Sequence, residues 1–325
     1  MSSFLGIDGG GTKTEFLLID EAGQVLARHQ AGSAYYLEIG FERLSALLRD
    51  GVRELLSGKR HAPAFAYVGL PAYGEDSALL GRLEATAAAA LDGTPHRCGN
   101  DMICAWAGAL GGDDGVNIVA GTGSIAYGEY AGRQARGGGW GELFSDEGSA
   151  YWIAREGLAL FSRMSDGRAT KGALHTLLRE HFNLSNDLDI CAAVYGQAPG
   201  TRSNIAQLAP LVSEAALQGD SEARLLFERG ARELAAIVAA TRASLRVPRE
   251  VALPVSCSGS LFKLTELLLE PFKQSLEERP ESYRFLSPRL APAAGAALYA
   301  AKLGGSPLPP AAVARLTESH PANIG

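Results

Sequence analysis

The 325-residue chain has no apolar run near the ~18 residues that a membrane-spanning helix requires. It has no basic block: 30 Lys and Arg stand against 36 Asp and Glu, a net charge of −6, which argues against nucleic acid as the main partner. Cysteine is sparse. Cys98, Cys104, Cys191 and Cys257 form no CxxC pair and read as reduced thiols rather than a disulfide frame or metal site. No basic segment, apolar core and cleavage site precede the first apolar run, so the expectation is a cytoplasmic protein.

Apolar residues make up 46% of the chain, enough for sizeable cores, and the length exceeds the ~100–200 residues of one domain, so two domains are expected. Phe4 to Asp8 is an apolar run that enters Gly9-Gly10-Gly11, and Glu15 to Asp20 is a second run, which reads as strand, tight turn, strand. Three glycines allow positive φ and a close approach of backbone N–H groups to an anion, a phosphate above all. Asp8 at the mouth of that turn implies Mg²⁺, through water, because a carboxylate beside phosphates needs a cation between them. A Walker A loop is excluded, since Thr12 stands where its lysine belongs. The pattern by itself leaves a ligand-free hairpin open.

Further along, 24–27 reads as a strand, 41–57 as an amphipathic helix, 65–70 as a buried strand and 76–91 as a helix. Strands alternating with helices indicate a largely parallel sheet with the hairpin at one side. Cys98 to Asp101 precedes a helix over 102–110, and Gly111 to Gly115 is a candidate domain boundary. The opening pattern then recurs as Val116–Ala120, Gly121-Thr122-Gly123-Ser124 and Ile125–Tyr130. Gly137 to Gly141 is a third glycine cluster, and Ser145 or Asp146 can cap a helix to Met164. Residues 171–245 read as mostly helical, broken at Asn183, Pro199-Gly200 and Gly219-Asp220. Val251–Cys257 is a strand, a helix starts at Leu261, Tyr283–Leu286 is a last strand, and 292–301 is a small-residue helix. The tail from Gly304 reads as a surface segment.

GIDGGGTKT, GNDMICAWAGA, IVAGTGS, GGWGELFSDEGSAYWIA, CSGS and PAAGAALYA occur in the order of the sugar-kinase/actin/heat-shock-chaperone ATPase superfamily. Over about residues 4–303 the chain resembles the BadF/BadG/BcrA/BcrD group, and within it N-acetylglucosamine kinases. The resemblance implies two ribonuclease-H-like α/β domains with ATP in the cleft: residues 1–115 with a returning helix over 290–303, and residues 116–289 with a helical insertion. It implies that Gly10, Gly11, Thr12 and Lys13 form the first phosphate turn and Gly121, Thr122 and Gly123 the second. Gly259 and Ser260 match the adenosine turn, with Ala206 near the adenine. Asp101 matches the catalytic base, and Tyr35, Ser124, Gly139, Trp140, Gly141 and Asp146 match sugar-binding positions. Spacing alone would also suit Asp101 and Asp146 as helix caps.

Two departures stand out. Tyr35 and Tyr36 replace the asparagine and histidine of related kinases, and Ile125 follows the GTGS turn. The implied activity is transfer of the ATP γ-phosphate, with Mg²⁺, to the 6-hydroxyl of N-acetylglucosamine by a homodimer. Glucosamine, glucose or another hexose is the alternative acceptor. More remote readings are an activator ATPase, which needs cysteines placed for an iron–sulfur cluster, and a non-enzymatic sugar sensor.

Overall fold

The two opening apolar runs form a hairpin, β1 (Ser3–Gly9) and β2 (Thr14–Asp20), antiparallel with Asp8 opposite Glu15. The computed structural model describes residues 2–59, 61–196 and 202–322. The break expected at Pro199-Gly200 lies outside the described residues. β2 is buried along its whole length, whereas β3 (Val25–Ala31) alternates between exposed and half-buried positions, as an edge strand does. Gly40, at φ 78°, splits α1 (Tyr36–Leu56), so the amphipathic helix proper begins at Phe41. β4 (Phe65–Leu70), α2 (Leu80–Leu91), β5 (His96–Asn100) and α3 (Asp101–Leu110) complete this part of the chain. β1, β4 and β5 run parallel in a sheet of order β3-β2-β1-β4-β5. Leu5, Ile7, Phe16 and Leu18 face a core shared with Leu44, Leu48 and Val52 of α1 and with Leu83 and Ala87 of α2.

The second repeat gives β6 (Gly115–Ala120), β7 (Ser124–Tyr130) and β8 (Arg133–Gly138), the last two antiparallel. Helices follow: α4 (Ala150–Ser165), α5 (Ala173–His181), α6 (Ile190–Tyr195), α7 (Arg202–Ala206), α8 (Ala209–Leu217) and α9 (Ser221–Leu245). The chain returns through β9 (Leu253–Ser258), α10 (Glu270–Glu277) and β10 (Tyr283–Leu286) to a sheet of order β10-β9-β6-β7-β8. Counted from its own first strand, each sheet reads third, second, first, fourth, fifth in one direction or the other. The chain divides into two compact units, Met1–Asn117 with Leu286–Gly325, and Ile118–Phe285. Among the described residues no helix is long and apolar enough to cross a membrane.

Three expectations are corrected. α4 starts at Ala150 and is capped by Ser149, whose hydroxyl accepts from Trp152 N at 3.2 Å, not by Ser145 or Asp146. Asp146 and Gly148 are left-handed, at φ 59° and 73°, so helical backbone cannot begin before them. The helix expected from Leu261 is a 3₁₀ turn over Ser260–Lys263 and a π-type turn over Thr265–Leu269, because Leu264, at ψ 73°, interrupts the helical path. The tail is more than a surface segment. After α11 (Pro292–Leu303), Pro310 opens α12 (Pro310–Ser319), which buries Ala312 and Leu316 and donates from Arg315 to Ala22 O at 3.1 Å.

α11 covers the β1 face opposite the α1–α2 core. Its Gly295 lies against the Gly108 backbone of α3, where a Cβ would strike Gly108 Cα at 2.5 Å. Small residues bring these two helices together near the C-terminal end of α3.

Candidate active site

In the first unit the turn after β1 closes with Gly10 N donating to Lys13 O at 2.9 Å, and Ala34 N donates to Gly10 O at 3.0 Å. Gly9, Gly10 and Gly11 do not take the positive φ expected of them. They are small for space instead. A Cβ on Gly9 would meet Gly69 O at 2.8 Å and one on Gly10 would meet Lys13 O at 3.0 Å, whereas Gly11 faces open space. Gly11, Thr12 and Lys13 are exposed, and Lys13 Nζ lies 3.7 Å from the Glu15 carboxylate.

Asp8 and Asp101 come together at the carboxyl ends of β1 and β5. Asn100, not Asp101, caps α3, its side chain accepting from Met102 N at 3.1 Å. Asp101 is thus not the cap of its own helix. Burial above all, then the charges of Asp101 and Glu15, push the Asp8 carboxyl up to about 7. The Cys104 thiol is wedged beside this pair, 3.7 Å from Ile7 O, and burial with the two carboxylates pushes it well above the ordinary thiol range. Gly69 makes the wedge possible, since a Cβ there would overlap Cys104 Sγ.

In the second unit Gly121 N donates to Gly123 O at 2.9 Å, and the turn is held from outside. Ala150 N and Tyr151 N, at the start of α4, donate to Gly121 O at 2.8 Å and Thr122 O at 3.3 Å. Gly259, at φ 101°, sits against Ala120, where a Cβ would meet Ala120 N at 3.0 Å, so the Gly259-Ser260 turn adjoins the Gly121–Gly123 turn. Ala206 is the buried last residue of α7.

Ser124 and Asp146 are both buried. The Ser124 backbone N–H donates to the Asp146 carboxylate and its hydroxyl donates to Glu147 O at 2.7 Å. Gly139 packs on Ile125, where a Cβ would meet Ile125 Cδ1 at 2.7 Å, which accounts for an apolar residue after the turn. Trp140 between Gly139 and Gly141 is 72% exposed. Tyr35 is not free for a ligand in the same way: its ring is half-buried against the first unit's core, and Tyr36 is buried against Phe41 with ring centroids 5.0 Å apart.

Sequence reasoning missed Arg202. From α7 its guanidinium pairs with Asp146, and it lies over Gly123. No local signal announces a contact across 56 positions. Leu143 and Phe144, exposed at 81% and 74% beside Trp140, were also missed, although three large apolar residues stand within five positions around Glu142.

Residues 5–300 match the BadF/BadG/BcrA/BcrD ATPase family. The chain belongs to that family. This family member is 28% identical over 310 residues to an N-acetyl-D-glucosamine kinase of Dictyostelium discoideum, covering 91% of this chain and 97% of the relative. It is 29% identical over 202 residues to an N-acetylmuramic acid/N-acetylglucosamine kinase of Clostridium acetobutylicum, covering 62% and 65% of the two chains. A solved structure from Chromobacterium violaceum, provisionally named an N-acetylglucosamine kinase, matches with TM-score 0.69 at 28% identity, over 92% of this chain and 98% of that one. A ROK family glucokinase from Streptomyces griseus, solved with glucose and AMPPNP, shares the fold at TM-score 0.53 and 21% identity, over 93% and 100%. Membership makes ATP the nucleotide of this family member.

Among the described residues no group of three or more His, Cys, Asp or Glu side chains is arranged to hold a metal by itself. The residues nonetheless fit Mg²⁺ carried on phosphates. Asp8 and Asp101 offer hard oxygen ligands of one sign, whose mutual repulsion a cation would relieve, whereas Glu15 is already paired with Arg28 Nε at 2.7 Å.

Proposed function

We propose that this family member transfers the γ-phosphoryl group of ATP to the 6-hydroxyl of N-acetylglucosamine, with Asp101 as general base. The observation that carries the reading is the Asp8–Asp101 pair at the strand ends, with the capping role taken by Asn100. A sugar hydroxyl is a poor nucleophile, and a carboxylate within reach takes its proton as the phosphoryl arrives. The Gly10–Lys13 and Gly121–Gly123 turns would present backbone N–H donors and the Lys13 ammonium to the phosphates. Asp8 would hold Mg²⁺ through water, and the ion would supply charge neutralisation on the transferring oxygens. Gly259, Ser260 and Ala206 would border the adenosine.

Ser124, Asp146 and the Gly139-Trp140-Gly141 segment would bind the sugar, the exposed indole lying against its apolar face. The names of the relatives support N-acetylglucosamine as acceptor. Resemblance to the same kinases supports a cytoplasmic homodimer. One observation favours a second reading: Tyr35, Tyr36 and Ile125 are engaged in packing where related kinases present polar groups, which suits glucosamine, glucose or another hexose.

ADP release with Mg-ATP, measured without sugar and with N-acetylglucosamine, glucosamine or glucose, decides among these. Preference for N-acetylglucosamine is expected. Preference for another hexose keeps the kinase and changes its acceptor, whereas sugar-independent hydrolysis or no turnover at all points to an activator or a sensor.

A further inference from the structure

We propose that Arg202 is a positioning residue of the sugar site, gripping the Asp146 carboxylate from α7 and fixing the orientation in which it accepts sugar hydroxyls. The inference rests on the reading of Asp146 as a sugar contact.

Asp146 is 1% exposed and sits on left-handed backbone at φ 59°, so its carboxylate has little freedom of its own. One oxygen, Oδ2, takes Nη2 of Arg202, and the Ser124 backbone N–H is a second donor. An ionised carboxylate has about four acceptor positions, so two such donors leave room for two hydroxyls of a ligand. Among the described residues Arg202 has no comparable second partner: the Glu142 carboxylate stands 3.8 Å from Nε, which is buried without a hydrogen bond. The path of the guanidinium is built into the second phosphate turn. A Cβ at Gly123 would overlap Nη2 of Arg202 and lie 2.8 Å from the Asp146 carboxylate. Glycine at that position therefore does two things, leaving the turn open to phosphate and letting the arginine cross to Asp146.

The electrostatics agree with the geometry. Burial pushes the Asp146 carboxyl up, Glu142 and Glu147 push it further, and Arg202 with the Ser124 N–H pulls it back, leaving it above the usual carboxylate range. A protonated Asp146 would lose acceptor capacity toward hydroxyls. Without Arg202 the carboxyl rises further, so sugar binding should weaken as pH falls and recover as pH rises. An arginine that merely tied α7 to the fold would lower Tm on removal, because its carboxylate partner is buried, but would leave no such pH signature in sugar binding.

The test is calorimetric binding of N-acetylglucosamine to wild type, Arg202→Ala, Arg202→Lys, Asp146→Asn and the Arg202→Ala/Asp146→Asn double variant, between pH 5.5 and 8, with ATP affinity and Tm measured alongside. Arg202→Ala is expected to weaken sugar binding about tenfold at pH 7, a loss of ~1.4 kcal/mol, with a steeper pH dependence than wild type and ATP affinity within about twofold. Arg202→Lys should recover part of the loss. In the Asp146→Asn background the arginine change should cost less than about twofold, because its partner is gone. Sugar affinity unchanged in Arg202→Ala, or a fall in turnover or ATP affinity instead, overturns the inference and leaves the kinase reading standing. Absence of binding by wild type of N-acetylglucosamine, glucosamine and glucose alike overturns the kinase reading, and the inference with it; binding of another of these hexoses moves the same comparison to that sugar.

Discussion

The two units share a strand order and carry a glycine turn between their first two strands, yet they handle acidic groups in opposite ways. In the first unit the charges of Asp101 and Glu15 add to burial in pushing Asp8 up to about 7, and of these acids Glu15 is paired with Arg28 Nε at 2.7 Å. In the second, Asp146 is held by a guanidinium and a backbone N–H. The turns differ likewise. The carbonyls of Gly121 and Thr122 are fixed by the first N–H groups of α4, whereas the Gly10–Lys13 turn closes on itself and on Ala34. In the proposed reading, the carboxylates that would take a proton and meet a cation are kept under mutual repulsion, and the carboxylate that would hold a neutral sugar is paired in advance.

The largest effect that could break this contrast is at Asp101. Asp101→Asn should lower turnover by ~10²–10⁴ with nucleotide binding close to wild type, read from steady-state rates and ATP titration. Turnover within about tenfold would show that the first unit's acidic pair is not catalytic.

Next is Asp187, another satisfied carboxylate of the second unit, which accepts from His175 Nε2 at 2.8 Å and pairs with Arg179 and Lys171. The hydrogen bond from His175 first, and then that from Arg179, hold its pKa well below the usual carboxylate range. The sign follows: a depressed pKa stabilises the fold above the unfolded value near ~3.9, and that contribution is lost as pH falls through and below it. Asp187→Asn should cost ~1–3 kcal/mol at pH 7 in a denaturant melt, with the cost shrinking toward pH 3.

A smaller effect separates binding from stability. Trp140→Ala should raise the sugar KM about tenfold, ~1.4 kcal/mol, without moving Tm, because a ring 72% exposed supports no core. A shifted Tm with unchanged KM would contradict its role at the sugar.

Smallest is the cap. Ser149→Ala should cost ~1 kcal/mol and, if the Gly121–Gly123 turn meets the phosphates as proposed, weaken ATP binding more than sugar binding, since the start of α4 holds the Gly121 and Thr122 carbonyls. Equal losses for both ligands would show that the turn is not specially dependent on α4.

The strands were legible because Phe4–Asp8, Phe65–Leu70 and Val116–Ala120 are apolar runs bounded by turn residues, a signal that survives into the fold. α12 was not, because two buried residues, Ala312 and Leu316, make too short a stripe to register as a period. The start of α4 was misplaced because Ser145, Asp146 and Ser149 are all good caps in composition, and only the left-handed backbone at Asp146 and Gly148 chooses among them. The triple glycine was legible as a turn but not in its reason, which for Gly9 and Gly10 is steric clearance from Gly69 and Lys13. Asp101 entered as a candidate base through the resemblance carried by the GNDMICAWAGA segment, spacing alone suiting a cap as well. Arg202 could not be found in either way, since its meaning lies in Gly123 and Asp146, brought to it by the packing of α7 on α4.

The most direct measurement is a ³¹P NMR spectrum of the protein with Mg-ATP and N-acetylglucosamine, followed in time. The expected spectrum gains a phosphomonoester resonance coupled to the protons at carbon 6 of the sugar, growing in step with ADP. Growth of inorganic phosphate alone, or a spectrum that stays that of ATP, would contradict phosphoryl transfer to the sugar.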